Sequence, residues 1–212
     1  MEMQYLQAEH VLGDAEASAW GARDWDSLSR LYLPLQEARR QRRQRCGEGT
    51  VWLDLIARSP SDILDPEQIV EQAPHGQLLI AGWETAAPAA TARQLAEQRG
   101  LYLDVFLAAA TAENRCVVLP RLDTPLADGL PLPLETLPRG QHAGTFETYG
   151  FTMDLWERLH TPLLAAADAV PDPIARMQAY RGVIEVDYAC ELAHQKLADT
   201  ARGLLRGERW PS

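Results

Sequence analysis

Little in this chain announces chemistry. Its three cysteines, Cys46, Cys116 and Cys190, are far apart, odd in number and outside any CxxC spacing. That argues against a disulfide framework or a zinc knuckle and suits a reducing interior. There is no basic excess either: 30 acidic residues against 20 basic ones leave a formal charge of -10, which disfavours a general nucleic-acid or anionic-membrane binder. No run approaches the roughly 18 apolar residues that a bilayer span needs. The opening MEMQYLQAEH has no basic stretch leading into an apolar core. A GxSxG elbow, a Walker loop and a GxGxxG turn are all missing. The expectation is a soluble cytoplasmic protein with no nucleic-acid or membrane partner and no cofactor.

What is present is enough chain for a full core: 212 residues, expected as one domain with an appendage. Ala8, Leu12, Ala15 and Ala19 recur at helical spacing. After a turn around Gly21, so do Leu28, Leu31, Leu35 and Ala38. Residues 1–48 therefore read as a helical hairpin, and 49–212 as an α/β domain carrying C-terminal helices. Pro34 predicts a kink or a restart in the second helix. That helix runs into Arg39, Arg40, Arg42, Arg43 and Arg45, then Gly47. The run reads either as an anion or acidic-partner site, or as cations on the negative end of the helix dipole with Gly47 as a left-handed cap. With no apolar stripe between the arginines, this end of the helix is expected to project from the core.

Beyond Gly49, TVWLDLIA has the β-branched and aromatic content of a strand. Asp65 before Pro66 is a helix start, and the helix closes near Ala73. Strands are expected over 77–82, 101–107 and near 116–119, with a helix over 89–98 opened by Pro88. Apolar strand-length runs alternating with helices predict a small parallel sheet with helices packed on it, a three-layer flavodoxin-like arrangement. Residues 121–144 read as an extended crossing segment whose Leu126, Leu130, Leu132, Leu134 and Leu137 need something to pack on. Two helices, over 146–169 and 173–205, finish the chain. A bend is expected at Pro162, and Pro171 and Pro173 separate the two.

The phrase GQLLIAGWETAAPAATARQLAEQRG, with the order of elements around it, resembles the sugar isomerase (SIS) domain family over about residues 50–120. Residues 77–81 match that family's strand, 82–87 its turn and 88–99 its helix, while Ser59 and Ser61 match the loop after the preceding strand. The resemblance implies a sugar phosphate cradled at a helix N-terminus and a catalytic Glu or His placed after the sheet. Glu147 and His194 are the residues it points to here. The implied ligand-binding set is Ser59, Ser61, Glu84 and Thr85. The turn departs from the family's Ser- and Gly-rich pattern: Glu84 puts a carboxylate where an anion would sit, and Thr85 is the one hydroxyl donor. The expected function is a diverged SIS-like protein that binds a sugar phosphate or a related small molecule, either as an isomerase or without catalysis, in a homo-oligomer such as a homodimer. The alternative is a non-enzymatic interaction or assembly subunit on the same fold.

A third reading comes from two Glu-x-x-His spacings, Glu157 with His160 and Glu191 with His194. Residues three apart share a helix face, so each pair could offer an oxygen and a nitrogen to one metal. Solvated or salt-bridged helix faces account for the same spacing, and no metal is assigned. Asp187, Glu191 and His194 also share a stripe near Cys190, where a carboxylate could tune a histidine as general acid or base.

Overall fold

The computed structural model describes residues 5–113 and 115–207. Seven α-helices and six strands follow one another among them: α1 (Tyr5–Ala22), α2 (Trp25–Glu48), β1 (Thr50–Ile56), α3 (Pro66–Gln72), β2 (Gly76–Trp83), α4 (Ala87–Gln98), β3 (Leu103–Ala110), β4 (Cys116–Val118), β5 (Leu130–Leu132), β6 (Gln141–Ala143), α5 (Phe146–Asp168), α6 (Pro173–Val186) and α7 (Glu191–Arg206). The chain divides into two compact units, one from Met1–Arg42 with Glu157–Ser212 and the other Arg43–Trp156.

The Arg43–Trp156 unit is built on one sheet of order β5-β4-β3-β2-β1-β6. β1, β2 and β3 are parallel neighbours, as the alternation of apolar runs with helices predicts. The outer strands correct the expectation of a purely parallel sheet: β4 and β5 on one side and β6 on the other all pair antiparallel. β2 and β3 are buried over nearly their whole length, which is why they read as continuous apolar runs instead of alternating ones. One face, with Leu78, Ile80, Val105 and Leu107, packs against Ile69 and Val70 of α3 and Ala89, Ala92 and Ala96 of α4. The alanines let α4 lie close to the sheet. Each fully buried aliphatic side chain contributes about 1.5–3 kcal/mol.

The other face carries Gln77 and Asp104, both buried, beside Phe106. Phe106 stacks on Trp156 of α5 with ring centroids 4.2 Å apart. Thr152 Oγ1 donates to Gln77 Oε1 at 2.5 Å. Arg43 lies over the Trp156 ring, 4.3 Å from its centroid, and its Nε is 2.7 Å from Asp104 Oδ2. At 1 % exposure Arg43 is among the largest fully buried side chains. The arginine run therefore does not project from a core as expected. Gly47, too, is no left-handed cap: it lies inside α2, where a Cβ would collide with the Tyr149 ring. In the crossing segment, Leu132 and Leu137 are buried and the chain forms β5, β6 and two short 3-10 turns.

The other unit is helical. Its core takes Ala19 from α1, Leu28 and Tyr32 from α2, Leu164 and Ala167 from α5, Met177, Tyr180 and Val183 from α6, and Ala193, Leu197 and Ala201 from α7. Pro34 and Pro162 both sit inside unbroken helices. The single helix expected over 173–205 is two, α6 and α7. Asp187 causes the break by taking the Ala189 N–H on its side chain at 3.1 Å and the Cys190 N–H on its carbonyl at 3.0 Å. Those donors are thereby lost to a continuing helix. No helix among the described residues is long and apolar enough to cross a membrane.

Candidate functional site

Parallel strands deliver their loops to one edge of a sheet, and ligands of open α/β sheets bind outside the carboxyl ends of the strands. At that edge of β1, β2 and β3 lies a cavity of about 280 Å³, lined by Asp54, Ile56, Ala57 and Arg58 from the end of β1, Trp83 from β2, Ala110, Thr111, Ala112 and Arg115 from the β3–β4 turn, and Leu134 and Arg139 from the crossing segment. That volume lies just below the roughly 300–1,000 Å³ of ligand pockets, which suits one small molecule and not a dinucleotide.

Asp54 is aimed by an irregularity in β1. Between Trp52 and Leu55 the strand fits three steps against two on β2, where Leu78 and Ile80 are the partners. An extra residue of this kind re-aims a side chain and is common beside functional sites. Asp54 Oδ2 accepts the Gly140 N–H at 2.9 Å, and Gly140 takes a positive φ of 79° that glycine supplies cheaply. This bond ties the crossing segment to β1 and brings Arg139 to the cavity. Asp54 Oδ1 is buried and has no hydrogen-bond partner among the described residues, a costly condition for a carboxylate oxygen. Of the three arginines that line the cavity, Arg115 is ion-paired with Glu113. Among the described residues neither the Arg58 nor the Arg139 guanidinium forms such a pair. The cavity thus combines guanidinium groups that accept anions bidentately, one acceptor for hydroxyl donors, and the half-buried face of Trp83.

The ligand-binding residues implied by the family resemblance, Ser59, Ser61, Glu84 and Thr85, directly follow the lining residues Arg58 and Trp83 in the chain without being among the lining themselves. Ser59 and Ser61 follow Arg58, and their hydroxyls are 2.8 Å apart. Ser59 also donates to Asp62 Oδ1 at 2.8 Å while Asp62 Oδ2 accepts the Arg58 N–H at 2.7 Å. The amide of Arg58 and the Ser59 hydroxyl hold the Asp62 carboxyl below its usual range. Glu84 follows Trp83, is exposed, and takes a left-handed φ of 53° while its N–H donates to the Ala110 carbonyl at 2.7 Å. Thr85 Oγ1 accepts the Ala87 N–H at 3.1 Å, starting α4 in place of its uncapped Ala86.

Glu147 is exposed in the first turn of α5, where Thr145 and Thr148 cap each other's amides at 3.2 and 2.9 Å. His194 belongs to the helical unit and is fully buried. Its Nδ1–H donates to the Cys190 carbonyl at 2.8 Å, and its Nε2 accepts from Arg39 Nη1 at 3.0 Å, a guanidinium having only protons to offer. Burial, opposed by the Cys190 carbonyl and assisted by the Arg39 charge, lowers its pKa to about 4, so it is a neutral imidazole. Arg39 and Arg42 share Glu9, at 3.1 and 2.9 Å, and Arg42 lies over the Tyr188 ring. Of the four weak metal candidates, Glu157 and Glu191 are exposed, while His160 Nδ1 donates to Asp187 Oδ2 at 2.7 Å. Among the described residues no group of three or more His, Cys, Asp and Glu side chains is placed to hold a metal ion.

Reasoning from the sequence missed Asp54, Arg58, Arg115 and Arg139. The one available signal was position: Arg58 directly follows the first strand, and Arg115 directly precedes Cys116. No family model, curated protein or solved structure matches the chain, so its site rests on this geometry.

Proposed function

We propose that the protein binds a small anionic, hydroxylated metabolite in the cavity at the carboxyl ends of β1–β3, and that a sugar phosphate, the class implied by the SIS resemblance, is the fitting ligand. The observation that carries this reading is the pairing in one small cavity of Arg58 and Arg139 with Asp54, whose Oδ1 is buried and unpartnered. The guanidinium groups take the phosphate oxygens in charge-assisted bonds, and Asp54 Oδ1 accepts a sugar hydroxyl. Trp83 supplies an apolar face for the carbon skeleton, as ring faces do in mostly apolar pockets. Glu84 stands outside the lining and is exposed, so solvent and salt screen its carboxylate from the anion. Binding is the activity supported; isomerisation would need a base in the cavity, for which Asp54 is the available carboxylate.

Thermal unfolding with a panel of hexose and pentose phosphates tests this reading. A ligand at a hundred times its Kd adds about 2.7 kcal/mol, so a fitting sugar phosphate raises Tm by several degrees while the parent sugar does not. Arg139→Gln removes one charged hydrogen-bond donor and weakens binding about tenfold to a hundredfold. Absence of any shift at millimolar concentration across the panel would overturn the reading.

A further inference from the structure

Within the helical unit an open groove of about 550 Å³ runs between α2 and α7, and it shares no residue with the cavity at the strand ends. Its floor is apolar, with Leu33 and Pro34 from α2 and Leu205 from α7. Among the described residues of this unit the exposed large apolar side chains are Val11, Leu33, Leu192 and Leu205. Two of them, Leu33 at 45 % and Leu205 at 49 % exposure, line this one groove. Apolar side chains scattered singly are ordinary on a surface, whereas several gathered in one concavity mark a contact site. Pro34 sharpens the point. A proline inside a helix forfeits a backbone hydrogen bond and costs stability. This one is exposed, so its ring gains nothing from burial in its own fold, and it stands in the groove floor.

The rim is basic. Arg30 of α2 and Arg202 and Arg206 of α7 line the groove with a single carboxylate, Asp26, in a chain whose formal charge is -10. Arg30 pairs with Asp26 four positions earlier, and Arg202 Nη1 lies 2.5 Å from Asp199 Oδ1 three positions earlier. Both are solvent-accessible pairs within one helix, a kind that contributes little and exchanges partners readily. We propose that this groove docks an acidic amphipathic helix of another protein, with its apolar face on Leu33, Pro34 and Leu205 and its carboxylates on Arg30, Arg202 and Arg206. Charge selects the occupant. A second copy docked symmetrically would set three arginines against three arginines, and an anionic bilayer would meet the acidic excess carried by the rest of the chain. An acidic helix is repelled by that excess and attracted at the groove, so the field of the whole chain steers it there. Shape agrees with charge: an amphipathic helix laid with its apolar side in a groove is a recurrent docking mode, in which leucines three and four positions apart supply the anchors.

The test is fluorescence anisotropy of a labelled peptide of about 14 residues, roughly four helical turns, with leucine at helical spacing on one face and glutamate elsewhere, titrated with the full chain. Saturable binding with a Kd of about 10–100 μM is expected. A peptide with lysine for every glutamate should bind about tenfold more weakly or worse, and so should one with serine for every leucine. The same loss is expected for the unaltered peptide in the double variant Arg202→Glu, Arg206→Glu and in the double variant Leu33→Ser, Leu205→Ser, with thermal unfolding confirming that both are folded. Arg158→Glu, at an exposed position of α5 outside the lining, should leave the affinity unchanged. If a double variant does not fold, the comparison of the three peptides on the unaltered protein decides alone. No saturable binding, equal binding of the lysine peptide, or an unchanged affinity in the folded double variants overturns the proposal. So does a concentration-dependent dimer that Leu33→Ser, Leu205→Ser abolishes, or binding to phosphatidylserine vesicles that Arg202→Glu, Arg206→Glu abolishes, since either gives the groove another occupant. None of these results bears on sugar-phosphate binding, whose cavity has no residue in this groove.

Discussion

At the scale of single residues, the most consequential side chain is one that composition would assign to solvent. Arg43 is buried against Asp104 and Trp156, and removing one partner of a buried pair leaves the other charge uncompensated. Arg43→Met is expected to cost about 3–5 kcal/mol in urea unfolding; adding Asp104→Leu should restore part of it. A loss under about 1 kcal/mol would show that the pair is not the anchor its burial suggests. The histidines make opposite contributions with pH. His194 has its folded pKa lowered to about 4 from an ordinary 6.5. As pH falls through that window the unfolded chain takes up a proton that the folded chain refuses, so stability is lost, by at most about 3 kcal/mol. For His160, raised to about 10, the folded state holds a proton that the unfolded state releases near 6.5, so its contribution is present below that pH and lost on the way to 10. Urea midpoints across pH should therefore peak near 6.5. His194→Gln should flatten the acid side and His160→Gln the alkaline side; acid and alkaline limbs unaltered by these substitutions would contradict the account.

At the scale of elements, the parallel centre of the sheet was legible because β2 and β3 are buried on both faces and leave continuous apolar runs, with Pro66 and Pro88 marking the helix starts between them. Of the antiparallel strands only β4 was, as a strand near 116–119 and without its direction; β5 and β6 were not. β4, β5 and β6 have three residues each, too short for an alternation to show, and their pairing is set by partners distant in sequence. The α6–α7 break was hidden for a different reason: no glycine or proline lies between Val186 and Glu191, and the interruption comes from Asp187 bonding its own neighbours. The burial of Arg43 within the arginine run depends on Asp104, 61 positions away, a contact that local charge density cannot reveal. One element junction is sharply constrained. Gly76 opens β2 at a φ of 150°, and a Cβ there would overlap the Thr50 carbonyl. Gly76→Ala should thus disturb the β1–β2 pairing and lower Tm by well over 5 °C, against little change for Gly150→Ala, which has open space in a helix.

Across the whole molecule, a net charge of -10 coexists with a local concentration of guanidinium groups, and 19 of the 20 basic residues are arginines. Arginine keeps its charge when partly buried and pairs in a fixed planar geometry. One set of arginines is consumed internally, with Arg39 and Arg42 on Glu9 and Arg43 on Asp104. A second set, Arg58, Arg115 and Arg139, lines the cavity at the strand ends. The family resemblance directed attention to the loops after the first two strands, and the cavity residues Arg58 and Trp83 lie one position before Ser59 and Glu84. It could not locate Arg139, which reaches the cavity only because Asp54 holds Gly140. The measurement that bears most directly on the central claim is a calorimetric titration of a hexose phosphate, with its unphosphorylated parent as control, into the protein and into the Arg58→Gln, Arg139→Gln double variant. Saturable binding of the phosphate alone, lost in the double variant, is the predicted result; no binding at millimolar ligand, or equal binding to both proteins, would contradict it.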